Sequence, residues 1–126
     1  MQSARRRFLA LPLAALAASR AAAVPANAAA IAWSDVTLLD GSVLRADTLR
    51  GRPVVVEFWA SWCPFCARQN PHLQALWEGQ RAHGLRVLTF SIDKQPDAAR
   101  SYLRTHRYTF PAAMDGPLAR FVDRGA

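Results

Sequence analysis

A chain of 126 residues has room for one domain at most. Its formal charge of +7 must be divided before it is read: Arg5, Arg6, Arg7 and Arg20 precede the first acid, and removing those four from 16 basic residues leaves 12 against 9 acids, a balance of +3. That is a mildly basic globular surface, so no nucleic-acid partner is expected.

The N-terminus reads as an export signal over residues 1–28: a basic cluster, an apolar stretch from Phe8 to about Ala18, then small residues with A-x-A spacing. The apolar stretch is roughly half of the ~20 residues that span a bilayer, which argues against a permanent membrane helix. Cleavage is expected after Ala28 or Ala23. Arg5-Arg6-Arg7-Phe8-Leu9 resembles the twin-arginine export consensus, a start shared with arginine-rich signals of the general secretory route. Either route ends outside the cytoplasm, in the periplasm or an equivalent oxidising compartment.

Residues 29–126 read as the domain proper, and strand and helix signals alternate along it. Asp35 to Leu39 and Ser42 to Leu44 flank Asp40-Gly41, a dipeptide that suits a hairpin turn. Ala46 to Leu49 can form one helical turn, stopped by Gly51. The run Val54 to Trp59 is apolar enough to predict a strand buried on both faces, in a sheet covered by helices. A helix is predicted from Pro64 to about Ala82, with Pro71 costing the carbonyl of Ala67 its helical partner. Val87 to Ile92 predicts a second buried strand. The segment Pro96 to His106 puts Ala99, Tyr102, Leu103 and His106 on one helical stripe. Thr109 to Met114 predicts a short strand, and Leu118 to Val122 a helix opened by Pro117. Strands alternating with helices favour parallel pairing and an α/β fold.

Trp62-Cys63-Pro64-Phe65-Cys66 directly follows the first buried strand and is the chemistry-bearing segment. The two cysteines, the only ones in the chain, stand three apart at the start of a predicted helix and therefore share a face. Such spacing brings sulfurs within range of a disulfide. At a helix N-terminus, unpaired N–H groups and the positive end of the helix dipole stabilise a thiolate, which marks Cys63 as the attacking sulfur. Pro64 at the first helical position loses no intrahelical bond. Cys66 would resolve the mixed disulfide and close the intramolecular one. The plainer alternative is a structural bridge or two buried thiols, but a bridge over so small a loop constrains the unfolded chain little. Glu57, inside the apolar strand, is the second candidate. A carboxylate there costs several kcal/mol of desolvation unless it is protonated, paired or used, or else it points to solvent from an edge strand.

The segment Phe58-Trp59-Ala60-Ser61-Trp62-Cys63-Pro64-Phe65-Cys66 resembles the active-site segment of thioredoxins. The chain from about Trp33 to Ala126 is most similar to the exported TlpA-like branch of that superfamily. Leu49 to Val56 and the piece from Asp93 to Asp115 carry the likeness to this branch. The resemblance implies a thioredoxin-like three-layer sandwich with a short N-terminal hairpin and a central helix–strand insert. It also implies a thiol-disulfide oxidoreductase acting on protein disulfides, as reductases serving cytochrome c maturation do, and recharged by a membrane electron-donor protein. By the same resemblance Glu57 is the buried acid beneath the second cysteine, a proton acceptor for Cys66, and Pro71 is the helix-kinking proline. Relatives place opposite the cysteines a cis-proline loop that begins a final hairpin, and a helix follows it. Pro111 comes too early to supply that loop, and Phe121 to Ala126 resembles the approach to it. A chain incomplete at its C-terminus is therefore expected, with Val54 to Trp59 as an open edge.

Other residues carry weaker signals. Trp59, Trp62 and Phe65 read as packing residues, with Trp62 and Phe65 also placed to contact a substrate. His72, His83 and His106 share no metal-binding spacing, Asp93 and Lys94 need no role beyond a turn, and Ser61 has no base beside it. No metal and no cofactor is expected. A Cu(I)-binding delivery module using both thiolates is the alternative from another class, and an inactive fragment is a third reading. Reductase against oxidase is left open by the Pro-Phe pair between the cysteines, because ~30 mV corresponds to about 1.4 kcal/mol in a two-electron couple.

Overall fold

The computed structural model describes residues 31–116. The export segment at 1–28, the helix expected from Leu118 to Val122 and the closing stretch Phe121 to Ala126 lie outside the described residues. The first elements are two short strands, β1 (Val36–Thr37) and β2 (Val43–Leu44), paired antiparallel with Val36 opposite Leu44. Their turn is built as Asp40-Gly41 dictates: Gly41 has φ 87°, its N–H reaches the Leu38 carbonyl at 3.0 Å, and Asp40 Oδ1 accepts from the Ser42 N–H at 2.9 Å. The hairpin is shorter than the sequence suggests because Leu39 leaves it. The Leu39 N–H donates to the Ala112 carbonyl at 2.8 Å, and its own carbonyl accepts from Arg100 Nε at 2.8 Å.

A 3₁₀ turn at Ala46–Thr48 leads into β3 (Val54–Trp59). Then follow α1 (Pro64–Gln80), a 3₁₀ turn at Arg81–His83, β4 (Arg86–Ser91), α2 (Pro96–His106) and β5 (Ala112–Met114). The 3₁₀ turn that continues the long helix stops where Gly84 turns left-handed at φ 96°. β3, β4 and β5 form one parallel sheet in that order, with Val54 opposite Arg86, Trp59 opposite Ser91 and Thr89 opposite Ala112. The last strand is half the length expected. Gln74 of α1 accepts from the Thr109 and Phe110 N–H groups at 2.8 and 3.3 Å, which spends on a helix the donors a strand would use.

Three layers result, as the resemblance implies, but the helices share one face. Strand order advances one way through β3-β4-β5, so successive βαβ crossovers of the same hand place both helices together. Leu73 of α1 and Ala99 of α2 meet Trp59, Val87 and Ala112 of the sheet in one core cluster. On the opposite face Val36 and Leu49, from the hairpin and the turn after it, cover Leu88, Phe90 and Ala113. Burial of β3 on both faces is therefore corrected. Only Glu57 and Trp59 of that strand are buried, its other residues are half-buried, and among the described residues β3 pairs with β4 alone.

α2 ends on Arg107 in the left-handed region at φ 58°, the one non-glycine residue with positive φ among those described. An L side chain there costs about 1–2 kcal/mol against the right-handed form. Arg107→Gly is expected to stabilise the domain by about 1 kcal/mol, read as a higher melting temperature. An unchanged or lower melting temperature would contradict that strain.

Candidate active site

Trp59 closes β3 as one of its most buried residues, 1% exposed, with its indole N–H donating to Thr89 Oγ1 at 3.0 Å. Beyond it Ala60, Ser61 and Trp62 make the turn into α1. Cys63 is the N-cap, with extended backbone at φ −86° and ψ 113°, and Pro64 takes the first helical position. The Cys63 sulfur accepts from the Cys66 N–H at 3.3 Å, so it occupies the place of a capping oxygen over the free donors of the helix. Cys63 and Cys66 are joined as a disulfide, with Cα atoms 5.3 Å apart. Both are half-buried.

The aromatic neighbours divide. Trp59 packs, as expected, whereas Trp62 and Phe65 are 68% and 74% exposed, so their reading as packing residues is corrected. They are placed on the turn and on the first turn of α1, beside the cysteines. The Arg68 guanidinium lies over the Phe65 ring, 4.9 Å from its centre.

Glu57 lies beneath this surface. Alternation along β3 puts it on the face of Val55 and Trp59, the face that α1 covers and against which Cys66 packs. It is 9% exposed, and its Oε2 is buried without a hydrogen-bond partner. A solvent-facing edge residue is therefore excluded. Desolvation by burial holds its pKa above the ordinary carboxylate value.

Asp93, read from the sequence as a turn residue, proves to be part of the site. It is 6% exposed, and its Oδ1 accepts from the Ser61 hydroxyl at 2.7 Å. Oδ2 accepts from the Ser61 N–H at 3.0 Å and from the Ser91 hydroxyl at 2.7 Å. Burial alone would raise its pKa, but these donors from Ser61 and Ser91 outweigh it and hold the carboxyl below its ordinary value. The signal was present in Ser61, Ser91 and Asp93, but only the pairing of Trp59 with Ser91 brings positions 61 and 93 together. His72, His83 and His106 are exposed, and among the described residues no three His, Cys, Asp or Glu side chains are grouped to hold a metal ion.

The family model of AhpC/TSA proteins matches residues 27–122. The chain belongs to this family. Within it, the chain is 26% identical over 80 residues to the thiol-disulfide oxidoreductase ResA of a Bacillus cereus strain, covering 64% of this chain and 46% of that protein. It is 23% identical over 69 residues to the sporulation thiol-disulfide oxidoreductase A of Bacillus subtilis, covering 52% of this chain and 42% of that protein. The chain thus spans less than half the length of these relatives. Among solved structures, a thioredoxin-family thiol:disulfide interchange protein from Chlorobium tepidum superposes with a TM-score of 0.64 at 23% identity, over 69% of this chain and 61% of the other. A secreted Mycobacterium tuberculosis disulfide oxidoreductase homologous to E. coli DsbE gives 0.62 at 23% identity, over 71% of this chain and 67% of the other. The thioredoxin-like fold expected from the active-site segment is borne out.

Proposed function

We propose that this chain is an exported thiol-disulfide oxidoreductase that exchanges its Cys63–Cys66 pair with protein disulfides, working as a reductase. One observation carries the reading: the Cys63 sulfur caps α1, half-exposed, at disulfide-forming distance from Cys66. A structural bridge has no need of a helix N-terminus or of an exposed aromatic surround.

In the reduced protein the Cys63 thiolate attacks one sulfur of the substrate disulfide. A new S–S bond forms, the old one breaks, and the departing substrate thiolate takes up a proton. The Cys66 thiol then gives its proton to the Glu57 carboxylate and attacks the Cys63 sulfur. The mixed disulfide breaks, the second substrate thiolate is released and protonated, and the Cys63–Cys66 bond is left. Two electrons pass from the protein to the substrate. Trp62 and Phe65, both exposed, bear on the substrate chain beside the bond exchanged, and Pro64 opens the helix whose N-terminus favours a thiolate at Cys63.

Residues 1–28 act as the export signal, by the twin-arginine or the general secretory route, and residues 29–126 as the thioredoxin-like domain. Outside the cytoplasm the spent disulfide needs a membrane electron-transfer protein to reduce it again, and cytochrome c maturation is the setting of related reductases. Insulin mixed with the reduced protein tests the activity. The expected result is one insulin disulfide reduced per protein, with Cys63 and Cys66 becoming inaccessible to alkylation. Unreacted insulin beside fully alkylatable, folded protein would defeat the reading.

A further inference from the structure

Two buried carboxylates serve the same end of the sheet, and their surroundings differ. Glu57 Oε2 has no partner, while both oxygens of Asp93 are taken up by donors. None of those donors is a cation, and three of the contacts lead to Ser61, two residues before Cys63: its hydroxyl at 2.7 Å and its N–H at 3.0 and 3.3 Å. Asp93 is fixed in turn, since its own N–H donates to Ser91 Oγ at 3.1 Å and the adjacent Ile92 N–H to the Trp59 carbonyl at 2.9 Å. The turn it grips starts from the buried Ala60 and ends on Cys63, whose carbonyl accepts from the Ala67 N–H at 3.1 Å. Within the turn, the Cys63 N–H reaches the Ala60 carbonyl at 3.2 Å, and Trp62 stands in solvent.

We infer that Asp93 is a positioning residue for thiol exchange: through Ser61 it holds the turn from Ala60 to Cys63 so that the Cys63 sulfur stays over the N-terminus of α1. The inference rests on the proposed exchange reaction and adds a residue to it. A carboxylate suits this task better than an amide, because Ser61 N–H, Ser61 Oγ–H and Ser91 Oγ–H all donate, and a carboxylate offers acceptors alone. Its charge by itself would disfavour a thiolate nearby, so position and charge predict opposite shifts in Cys63.

The test measures the rate of iodoacetamide alkylation of Cys63 against pH in the reduced full chain, with far-UV circular dichroism on each variant. Ser61→Ala keeps the carboxylate and loses one donor. It is expected to move the alkylation midpoint upward and cut the rate at neutral pH about three- to tenfold, since one pKa unit is about a tenfold change in thiolate. Ser61→Thr, which keeps the hydroxyl, restores the wild-type midpoint. Asp93→Asn also moves it upward, and Ser61→Ala added to Asp93→Asn moves it no further, as residues acting as one unit do. A downward shift in Asp93→Asn would show action by charge and overturn the inference, as would an unmoved midpoint in Ser61→Ala. Should Asp93→Asn fail to fold, the Ser61→Ala and Ser61→Thr pair decides. A wild-type midpoint at the ordinary thiol value would defeat the exchange reaction itself. A lowered wild-type midpoint with no response at Ser61 would defeat only the role of Asp93.

Discussion

Replacing Cys63 with serine is expected to abolish turnover, by about a thousandfold or more, while Cys66→Ser performs the first attack and stops. The asymmetry follows from the helix. Cys63 caps it and accepts from the Cys66 N–H at 3.3 Å, whereas Cys66 sits in the first turn and packs against the core cluster beneath. A thiolate is stabilised at the first position, and attack from solvent is open there. Cys66→Ser should therefore accumulate a mixed disulfide between Cys63 and the substrate, visible on a non-reducing gel and cleared by dithiothreitol. Cys63→Ser should form none. Equal residual turnover in the two variants would rule out the assigned order, and a trapped complex through Cys66 would reverse it.

Glu57→Gln is expected to slow resolution about a hundredfold, the usual weight of a positioned general base, and to leave the first attack near its original rate. Cys66 cannot attack while it holds its proton, and Glu57 is the buried carboxylate on the sheet face that Cys66 packs against. The same substitution has a stability consequence with a definite sign. Burial raises the folded pKa of Glu57 above the ordinary 4.5. Its favourable contribution is thus complete below pH 4.5 and is lost as pH rises through the folded value. Glutamine does not ionise, so the variant should gain stability relative to the wild type as pH rises through the folded pKa of Glu57. The advantage should vanish in acid. Urea unfolding at several pH values reads this directly, and a variant less stable at neutral pH than in acid relative to wild type would contradict the burial of an ionisable group.

Glu57 and Asp93 show what can be read along the chain and what cannot. A carboxylate in the apolar run Val54 to Trp59 is anomalous on sight, because the cost of desolvation is a local property of the strand. Asp93 is not anomalous, since an acid after a strand is ordinary turn chemistry, and its partners Ser61 and Ser91 are ordinary too. Only the parallel register that sets Trp59 opposite Ser91 turns three unremarkable residues into a clamp. The helix at Pro96 to His106 is legible to the residue because its apolar stripe and its opening proline agree. Thr109 to Pro111 reads as strand but does not form one, for a reason no local pattern holds: Gln74, 35 residues earlier on another element, takes the Thr109 N–H. The exposure of Trp62 and Phe65 likewise contradicts what their composition suggests.

The pH dependence of Cys63 alkylation in the reduced wild-type chain tests the central claim most directly. A sulfur that caps α1 and accepts from the Cys66 N–H should react as a thiolate with a midpoint well below the free-cysteine value of about 8.5, and far faster than Cys66. Two cysteines that titrate together at the ordinary value, in protein whose circular dichroism is that of the folded domain, would contradict it.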